Sequence, residues 1–342
     1  MNKDFQFDIS NIYAFQGCLK NEELLLKSSS GGITRALSNI VLSKNGTVFG
    51  VRYSNDFYRA EYCYVTKKED IDEIIGSKYI YSDKKIKYRE QIVSVYQAVI
   101  SELQRGKYVL YFGLGCDVAA VKQKAINSGV DISKLFLVDL ICQGPTFQEV
   151  QESYLKRLEK RYASKVCGFS VRYKLFGWLS PPYIRVDFEN GKQYMESFYG
   201  SDFGFAFSHF SKLGCYQCAF RGEKHQSDMT IGDYWGIDKS DDAYNKNGVS
   251  IILVTTEKGI SLLKEINEQE FSIYPADTKK ALLHNPMYYT CREKYAKVDR
   301  FKENINNMGL HKAVIKEMGI MKYSYMKMRR YFSKLLRTIR SS

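Results

Sequence analysis

The chain has 342 residues, 44% of them hydrophobic and 14% aromatic, so it is long and apolar enough to bury a sizeable core rather than stay disordered. Its charged N-terminus lacks the apolar run of a secretion signal, and its eight scattered cysteines therefore favour metal binding or simple burial over a disulfide framework. The net charge of +13 is concentrated in residues 322–342, which hold seven Lys or Arg and no acid, so we expect no nucleic-acid interface on the body.

The first half of the chain alternates between helical and extended patterns. Apolar residues recur every three or four positions where we expect a helix, and they form short continuous runs where we expect a buried strand. The predicted elements are a helix and a strand within 33–53, a helix at 88–105, a strand at 108–116, a helix from 118, a strand at 135–142 and a helix at 148–162. Such alternation is typical of an α/β fold.

From residue 166 onwards the sequence changes to short alternating segments that are typical of antiparallel strands. Asn190-Gly191 lies between two of these segments and predicts a tight hairpin turn. A strand followed by a helix is predicted again at 248–266. We therefore predict a mixed α/β (α+β) fold with a strand–helix alternating first half, a more antiparallel second half and a basic amphipathic helix at the C-terminus.

Four cysteines are placed where they can meet at one edge of the predicted sheet. Cys116 and Cys142 each end an apolar strand, and ligand sites in α/β sheets lie at the carboxyl ends of strands. Cys215 and Cys218 form a Cys-x-x-Cys pair. Four thiolates hold either a tetrahedral zinc or an iron–sulfur cluster, and the spacing does not separate these two metals. The alternative is that cysteines at strand ends are small core residues, which is how we interpret Cys18, Cys63, Cys167 and Cys291.

Nine short motifs occur in an order that resembles one known family. They are KSSSGG at 27–32, GSKYIYSD at 76–83, YFGLGC at 111–116, VDLICQG at 138–144, VRYKLFGW at 171–178, CYQCAFRG at 215–222, SDMTIGDYWG at 227–236, GVSIILVTTEKG at 248–259 and LLHNP at 282–286. The series is similar to the beta-subunit family of coenzyme F420 hydrogenase/dehydrogenase, which are flavin and iron–sulfur proteins. The resemblance implies an N-terminal region at 1–110, a C-terminal region with the four cysteines at 111–295, and a helical basic tail at 296–342.

The resemblance also implies two cofactors. A [4Fe-4S] cluster would be held by Cys116, Cys142, Cys215 and Cys218, with FAD beside it. The residues that match the flavin pocket are Ser28, Ser29, Ser30, Gly31, Gly32, Gly76, Ser77, Lys78, Tyr79, Ser82 and Asp83. A Ser/Gly run at a helix start offers backbone N–H groups, hydroxyls and the positive end of the helix dipole to a pyrophosphate. The alternative is an ordinary helix N-cap, which needs only one of the serines.

Four charged residues are candidates for a role in the reaction. Lys78 and Arg172 would stabilise negative charge on a reduced flavin, and we name them as the catalytic candidates; the alternative is that they are ordinary surface residues. Asp228 and Asp233 flank a short extended run next to glycines. They are interpreted either as proton relays or as residues that cap turns.

The chain departs from the family in ways that affect the expected function. It has no ferredoxin-like run of Cys-x-x-Cys-x-x-Cys, and His225 stands where relatives have Arg. A sequence that is rich in Lys, Asn and Tyr and lacks the ferredoxin segment resembles the branch found in bacterial polysaccharide gene clusters rather than the F420-dependent enzymes. We expect a cytoplasmic oxidoreductase that acts on a nucleotide- or lipid-linked sugar and takes electrons from a ferredoxin-like protein or a reduced soluble cofactor. The alternative is a non-catalytic subunit or assembly factor of a glycan-synthesis complex, with a structural zinc or no metal.

The C-terminal residues 321–342 predict a membrane contact. No stretch of the sequence is long and apolar enough to span a bilayer. Apolar residues of the tail recur at helical spacing among arginines and lysines, which is typical of helices that lie on an anionic membrane surface. We therefore expect peripheral attachment at the inner membrane surface. The alternative is a helix that packs on the body and exposes a charged face.

Overall fold

The computed structural model describes residues 8–295 and 297–329, and its elements follow the chain in a strand–helix order. The strands are β1 Tyr13–Leu19, β2 Thr47–Tyr53, β3 Ala60–Val65, β4 Ser82–Asp83, β5 Lys85–Tyr88, β6 Gln91–Ser94, β7 Val109–Leu114, β8 Leu135–Leu140, β9 Val166–Tyr173, β10 Tyr183–Phe188, β11 Gln193–Ser197, β12 Met229–Asp233, β13 Ser250–Val254 and β14 Phe271–Pro275. The α-helices are α1 Glu22–Lys27, α2 Ile33–Ser43, α3 Val95–Gln104, α4 Gly115–Asn127, α5 Gln148–Tyr162, α6 Asp202–His209, α7 Glu257–Leu263, α8 Thr278–Leu283, α9 Val298–Met308 and α10 Leu310–Met318.

A nine-stranded mixed sheet forms the centre of the fold, in the order β14-β1-β13-β12-β8-β7-β2-β3-β4. Its middle strands β12, β8, β7 and β2 run parallel, whereas the pairs on the β14 side are antiparallel. Strands from both sides of residue 110 belong to this one sheet. The predicted mixed α/β class is confirmed, while the proposed division at 110 and 296 stays a prediction.

Both faces of the sheet are covered by helices. On one face, α2 contributes Leu37 and Val41 to a core that includes Leu110 of β7. On the other face, α3 and α4 cover a second core that contains Val109 and Tyr111 of the same strand. Because successive residues of β7 point to opposite covered faces, a continuous apolar run is the pattern that a strand in this position requires.

A smaller sheet, β11-β10-β9, packs with α5, α6, α9 and α10 around a separate aromatic-rich core. The turn between β10 and β11 contains Asn190 and Gly191, and Gly191 has a φ of +78°. The predicted hairpin is therefore confirmed. Its loop has three residues, because the Phe188 N–H donates to the Lys192 carbonyl oxygen at 3.0 Å, and a loop of this length favours glycine at positive φ in its last position.

The predicted helix at 88–105 is wrong in its first third. Residues 85–94 form the hairpin of β5 and β6, and α3 begins only at Val95. Arg89 and Glu90 make the turn with φ values of +47° and +67°, although neither residue type favours that conformation. Ser94 then caps α3 by accepting a hydrogen bond from the Gln97 N–H at 3.2 Å. The apolar residues of the hairpin imitate helical spacing, which is why the pattern misled.

The C-terminal prediction is only partly testable. Residues 320–329 are helical, as predicted, and residues 330–342 lie outside the described residues. Within the described residues, no helix combines the length and the apolar character that crossing a membrane requires.

Candidate functional site

The four predicted metal ligands come from three neighbouring turns at one edge of the large sheet. β7 and β8 are parallel neighbours whose last residues, Leu114 and Leu140, are in register. Cys116 lies in the first turn of α4 after β7, and Cys142 follows β8 by two residues. The other two thiols belong to the 3₁₀ turn Leu213–Gln217 and the residue after it.

The thiols are close enough to influence one another electrostatically. Loss of solvation raises the pKa of Cys116 to about 12, and the negative charges of Asp117, Cys142 and Cys218 add to the increase. Burial likewise raises the pKa of Cys142 to about 11, although the Gly144 N–H, which donates to its Sγ at 3.2 Å, opposes the shift. These thiols therefore stay protonated at neutral pH unless a metal centre stabilises the thiolates.

Tyr81 and Gly144 hold the turn that carries Cys215. The Tyr81 hydroxyl lies 3.1 Å from the Cys215 Sγ and accepts a hydrogen bond from the Lys212 N–H at 3.1 Å. Gly144 has a φ of +98°, and a Cβ placed there would lie 3.1 Å from the Cβ of Cys215. A side chain at position 144 would therefore push the two cysteine turns apart.

Two residues that the sequence interpretation missed adjoin the same turns. Cys291, interpreted as structural, accepts a hydrogen bond from the Cys218 N–H at its Sγ, at 3.3 Å. Arg292 donates to the carbonyl oxygens of Gln143 at 2.8 Å and Gly144 at 3.2 Å. No sequence signal identifies either residue, because Cys291 lies 73 positions from Cys218 without a spaced partner.

The chemistry of the donor set fits an iron–sulfur cluster. Within the described part of the chain, no group of three or more His, Cys, Asp or Glu stands ready to hold a single metal ion. A [4Fe-4S] cluster binds each thiolate through a different iron atom, so it needs sulfurs that lie further apart than those around one zinc. Four thiols from three neighbouring turns, with cationic neighbours, suit that larger group. The assignment of these cysteines to a cluster stays a prediction.

The serine–glycine segment predicted for the flavin lies between β1, β13 and the 76–83 segment. The hydroxyls of Ser29 and Ser77 are 2.8 Å apart, so the structure brings the two predicted flavin motifs together. Ser28 and Ser30 use their hydroxyls on backbone carbonyl oxygens, those of Leu24 at 2.9 Å and Val249 at 2.7 Å. Among the serines at positions 28, 29, 30 and 77, Ser29 and Ser77 therefore keep hydroxyls whose partners are side chains that a ligand can displace.

The two glycines of this segment are required by close packing and by backbone conformation. A Cβ at position 31 would meet the Gly17 carbonyl oxygen at 2.1 Å and the Ser250 N at 2.5 Å. Gly32 has a φ of +84° and is the N-cap of α2, with no side-chain hydrogen bond to the helix. The alternative of an ordinary serine N-cap is therefore wrong, because no serine side chain caps α2.

The remaining residues of the 76–83 motif face different neighbours. Burial lowers the pKa of Lys78 to about 8, and its amine donates to the Ile75 carbonyl oxygen at 2.6 Å. The Tyr79 ring stacks on Phe207 at 4.3 Å between ring centroids. Gly76 and Asp83 are exposed, and Ser82 accepts a hydrogen bond from Lys84 at 2.9 Å. Lys78 is therefore not the plain surface residue of the alternative interpretation.

Arg172, the other catalytic candidate, forms a buried ion pair with Asp233. Its two terminal nitrogens donate to the two carboxylate oxygens at 2.7 Å and 3.1 Å, and the side chains are only 12% and 14% exposed. Burial alone lowers the pKa of Arg172, but the Asp233 carboxylate raises it above its ordinary value. Trp178 also donates to Asp233 at 2.8 Å. Asp233 is thus committed to fixing a permanent positive charge.

Asp228, interpreted from the sequence as either a proton relay or a residue that caps a turn, connects two elements of the fold. Its carboxylate accepts the Leu137 N–H at 2.8 Å and the Thr256 hydroxyl at 2.9 Å, which ties β8 to the start of α7. Lys258 lies 3.3 Å away as an ion-pair partner. These contacts give Asp228 a structural role between β8 and α7.

Lys174 is a further residue that was not assigned a role from the sequence. Its amine donates to the Ser30 carbonyl oxygen at 3.3 Å, to that of Leu25 at 3.0 Å and to that of Asn247. Burial and the nearby Arg172 lower its pKa to about 8. Lys174 therefore holds the backbone of the serine–glycine segment in place through its hydrogen bonds to these carbonyl oxygens.

His225, which replaces the arginine of relatives, pairs with a fully buried carboxylate. Its Nδ1 lies 2.6 Å from the Oδ2 of Asp139, and its ring stacks on Tyr288 at 4.4 Å. Asp139 is the penultimate residue of β8, three positions before Cys142. His225 thus gives the buried Asp139 carboxylate a side-chain partner in the strand that leads to Cys142.

Two surface depressions differ in their positions relative to the candidate sites. One of about 460 Å³ adjoins the thiols, and the residues that line it are Ala119, Lys122, Gln123, Ile126, Ala219, Phe220, Glu223, Lys224 and Gln226. The other, of about 380 Å³, lies on the helical residues 320–329. Neither is lined by the serine–glycine segment.

Comparison with known proteins identifies the family of this chain. Residues 106–279, which make up more than half of the chain, match the family described as the C terminus of the coenzyme F420 hydrogenase/dehydrogenase beta subunit. The chain belongs to this family. The predicted family membership is therefore confirmed, and the chain belongs with redox enzymes. A search of curated proteins finds no match.

A solved structure shows the same fold. A chain of the F420-reducing [NiFe] hydrogenase complex from Methanosarcina barkeri, derivatised with xenon, aligns with a TM-score of 0.53 at 17% identity. The alignment covers 83% of this chain and 96% of that chain. The relationship extends the similarity in fold beyond the residues that match the family.

Proposed function

We propose that the protein is a flavin- and iron–sulfur-dependent oxidoreductase that passes electrons between FAD and a [4Fe-4S] cluster. FAD would lie at the serine–glycine segment, and the cluster would be held by Cys116, Cys142, Cys215 and Cys218. Bound FAD supplies hydride or two-electron chemistry, and a bound cluster supplies single-electron transfer. Membership of a redox family and the donor set of four thiols support this proposal.

The observation that carries the proposal is the 76–83 segment, which contacts both candidate sites. Ser77 meets Ser29 at one end, and Tyr81 meets Cys215 at the other, each with a hydrogen bond near 3 Å. Four residues of extended chain span at most about 14 Å. Two cofactors at the ends of such a segment would be near neighbours, as electron transfer between them requires.

The roles of the protein residues in this proposal follow from their contacts. Arg172 provides a permanent positive charge that stabilises a reduced, anionic ligand. Its partner Asp233, which also accepts a hydrogen bond from Trp178, and the ring of Trp235 fix the guanidinium in place. Ser29, Ser77 and the start of α2, which has no side-chain cap, would bind phosphate oxygens. Tyr81 orients Cys215. The Lys78 amine, already satisfied by a carbonyl, acts by charge rather than by direct proton transfer.

We extend the proposal to partners and pathway. Electrons would be exchanged with a separate ferredoxin-like protein or a reduced soluble cofactor, and the substrate would be a nucleotide- or lipid-linked sugar of a bacterial surface polysaccharide or related glycan. The solved structure with the same fold is part of a hydrogenase complex, which supports an assembly with other subunits. The glycan assignment rests on the resemblance to the polysaccharide-cluster branch alone.

Metal and flavin analysis of protein purified without oxygen tests the proposal. We expect about four iron atoms and about four acid-labile sulfides per chain, together with FAD released on denaturation. Reduction with dithionite should bleach the visible absorbance of the cluster. Colourless protein with one zinc per chain would instead support the non-catalytic glycan-complex subunit, and protein without metal or flavin would contradict the redox proposal.

We propose that the protein attaches peripherally to the inner membrane surface through residues 321–342. Tyr323 and Lys327 anchor the described part of this helix to the body, through Asp202 at 2.8 Å and Glu196 at 2.5 Å. The opposite surface is apolar, and its exposed residues are Ile320, Met321, Tyr325 and Met328. An outward apolar face beside a basic sequence fits an anionic lipid surface, whereas a helix that merely packs on the body would bury that face.

A double variant, M321E/Y325E, should reduce binding to vesicles that contain anionic phospholipid by at least ~10-fold, because each side chain loses apolar burial and adds a repelled charge. Both residues are exposed, at 84% and 61%, so the fold should survive. I92E, which alters an equally exposed apolar residue on β6, is the matched control and should bind normally. Unchanged binding of the double variant, or self-association in place of vesicle binding, would contradict membrane attachment.

A further inference from the structure

Arg292 connects two backbone segments close to the four thiols. Its Nε and Nη2 donate to the two carbonyl oxygens that follow Cys142, those of Gln143 and Gly144. Its Nη1 donates to the carbonyl oxygen of Phe207, at the end of α6, at 2.6 Å. One guanidinium thus joins the turn of Cys142 to the helix that precedes the Cys-x-x-Cys turn.

The charge of Arg292 has no matching carboxylate. Within residues 8–295 and 297–329, its hydrogen bonds are to backbone carbonyls, and its ring partner is Phe207 at 5.6 Å. Burial lowers its pKa, while Tyr216, Cys142, Cys215 and Tyr81 favour the charged form when they are negative. Burying a cation without an anion costs free energy. Thiolates at Cys142 and Cys215 would supply the missing negative charge.

The preceding residue contributes from the other side of the site. The Sγ of Cys291 accepts the N–H of Cys218, so two consecutive residues reach both the Cys142 turn and the Cys-x-x-Cys turn. Residues 291 and 292 lie beyond the family match, which ends at residue 279. This contact between the cysteine turns is therefore supplied by a segment outside the matched region.

We propose that Arg292 is a positioning residue that compensates the negative charge of the four-thiol metal site and holds the Cys142 turn in place. This inference rests on the proposed cluster. The positive charge favours the electron-rich state of the site, and the three carbonyl contacts preserve the geometry of the ligands. Charge and positioning are separable, because lysine keeps the charge but cannot bind three carbonyls in the planar arrangement of arginine.

The test compares R292Q, R292K and wild-type protein prepared without oxygen. For R292Q we expect a midpoint potential shifted to more negative values and an apparent metal affinity reduced roughly 10- to 100-fold in a chelator challenge. For R292K we expect a near-normal potential but faster loss of iron. R300Q, an exposed arginine on α9, is the matched control and should change neither quantity.

The outcomes separate this inference from the proposed function. Wild-type protein without iron would overturn both. Iron-loaded wild type with an unchanged potential and unchanged iron retention in R292Q would overturn the role of Arg292 alone. If R292Q fails to fold, iron retention in the folded R292K protein decides the matter. Faster iron loss supports the role of Arg292, and wild-type iron retention overturns it.

Discussion

Replacement of Cys142 by serine should remove most of the iron from protein prepared without oxygen. The thiol lies in the turn after β8, and its Sγ accepts a hydrogen bond from the Gly144 N–H. It is also close enough to Cys116, Cys215 and Cys218 for their charges to affect its pKa. Loss of a residue that only supports a metal ligand costs 10- to 100-fold in affinity, so loss of a ligand itself should cost more than ~100-fold. Iron and sulfide analysis, with electron paramagnetic resonance of the reduced protein, measures the effect.

The matched control for this prediction is Cys167→Ser. Cys167 is exposed on β9, away from the cysteine turns, and its replacement should leave the iron content at the wild-type level. Cys291 provides a second comparison, because it touches the Cys218 backbone without being a proposed ligand. Wild-type iron content in C142S would contradict the ligand assignment, and iron loss in C167S would show that the assay reports general damage.

Asp233→Asn should lower the free energy of unfolding by about 3–5 kcal/mol, because it leaves Arg172 buried without its counter-charge. Both oxygens of Asp233 are engaged with Arg172, and one of them also accepts from Trp178, so an amide cannot restore the same set of contacts. Urea unfolding followed by circular dichroism measures the change. FAD content should fall in parallel if Arg172 faces the flavin.

Asp187→Asn is the control for the buried ion pair. Asp187 pairs with Arg185 on β10 at 3.0 Å, but both side chains are about one-third exposed. Exposed pairs contribute little, so this variant should lose no more than about 1 kcal/mol. Equal losses of unfolding free energy in the two variants would show that burial does not increase the contribution of the Arg172–Asp233 pair to stability. Normal FAD content in a folded Asp233→Asn protein would show that the Arg172–Asp233 pair is not needed for FAD binding.

Local patterns were sufficient for elements whose sequence carries one clear period. α5 spans Gln148–Tyr162 as predicted, and β10, Tyr183–Phe188, lies in the region predicted to hold short antiparallel strands. In α5, one face is buried in a core and the other is charged, so its period can be recognised. The β5–β6 hairpin was missed because its turn residues, Arg89 and Glu90, carry none of the usual turn signals.

The sequence by itself determined the strand-end positions of Cys116 and Cys142, because parallel strands with covered faces are continuous apolar runs whose ends can be located. It also determined the paired thiols, the glycines at positions 31 and 32 and the family. Only the tertiary structure decided that Ser29 meets Ser77. The same holds for the Arg172–Asp233 pair and for the position of Arg292 beside the cysteine turns. These partners are 48 to 149 positions apart, and the order of strands in the sheet, which no local pattern encodes, sets which distant segments become neighbours.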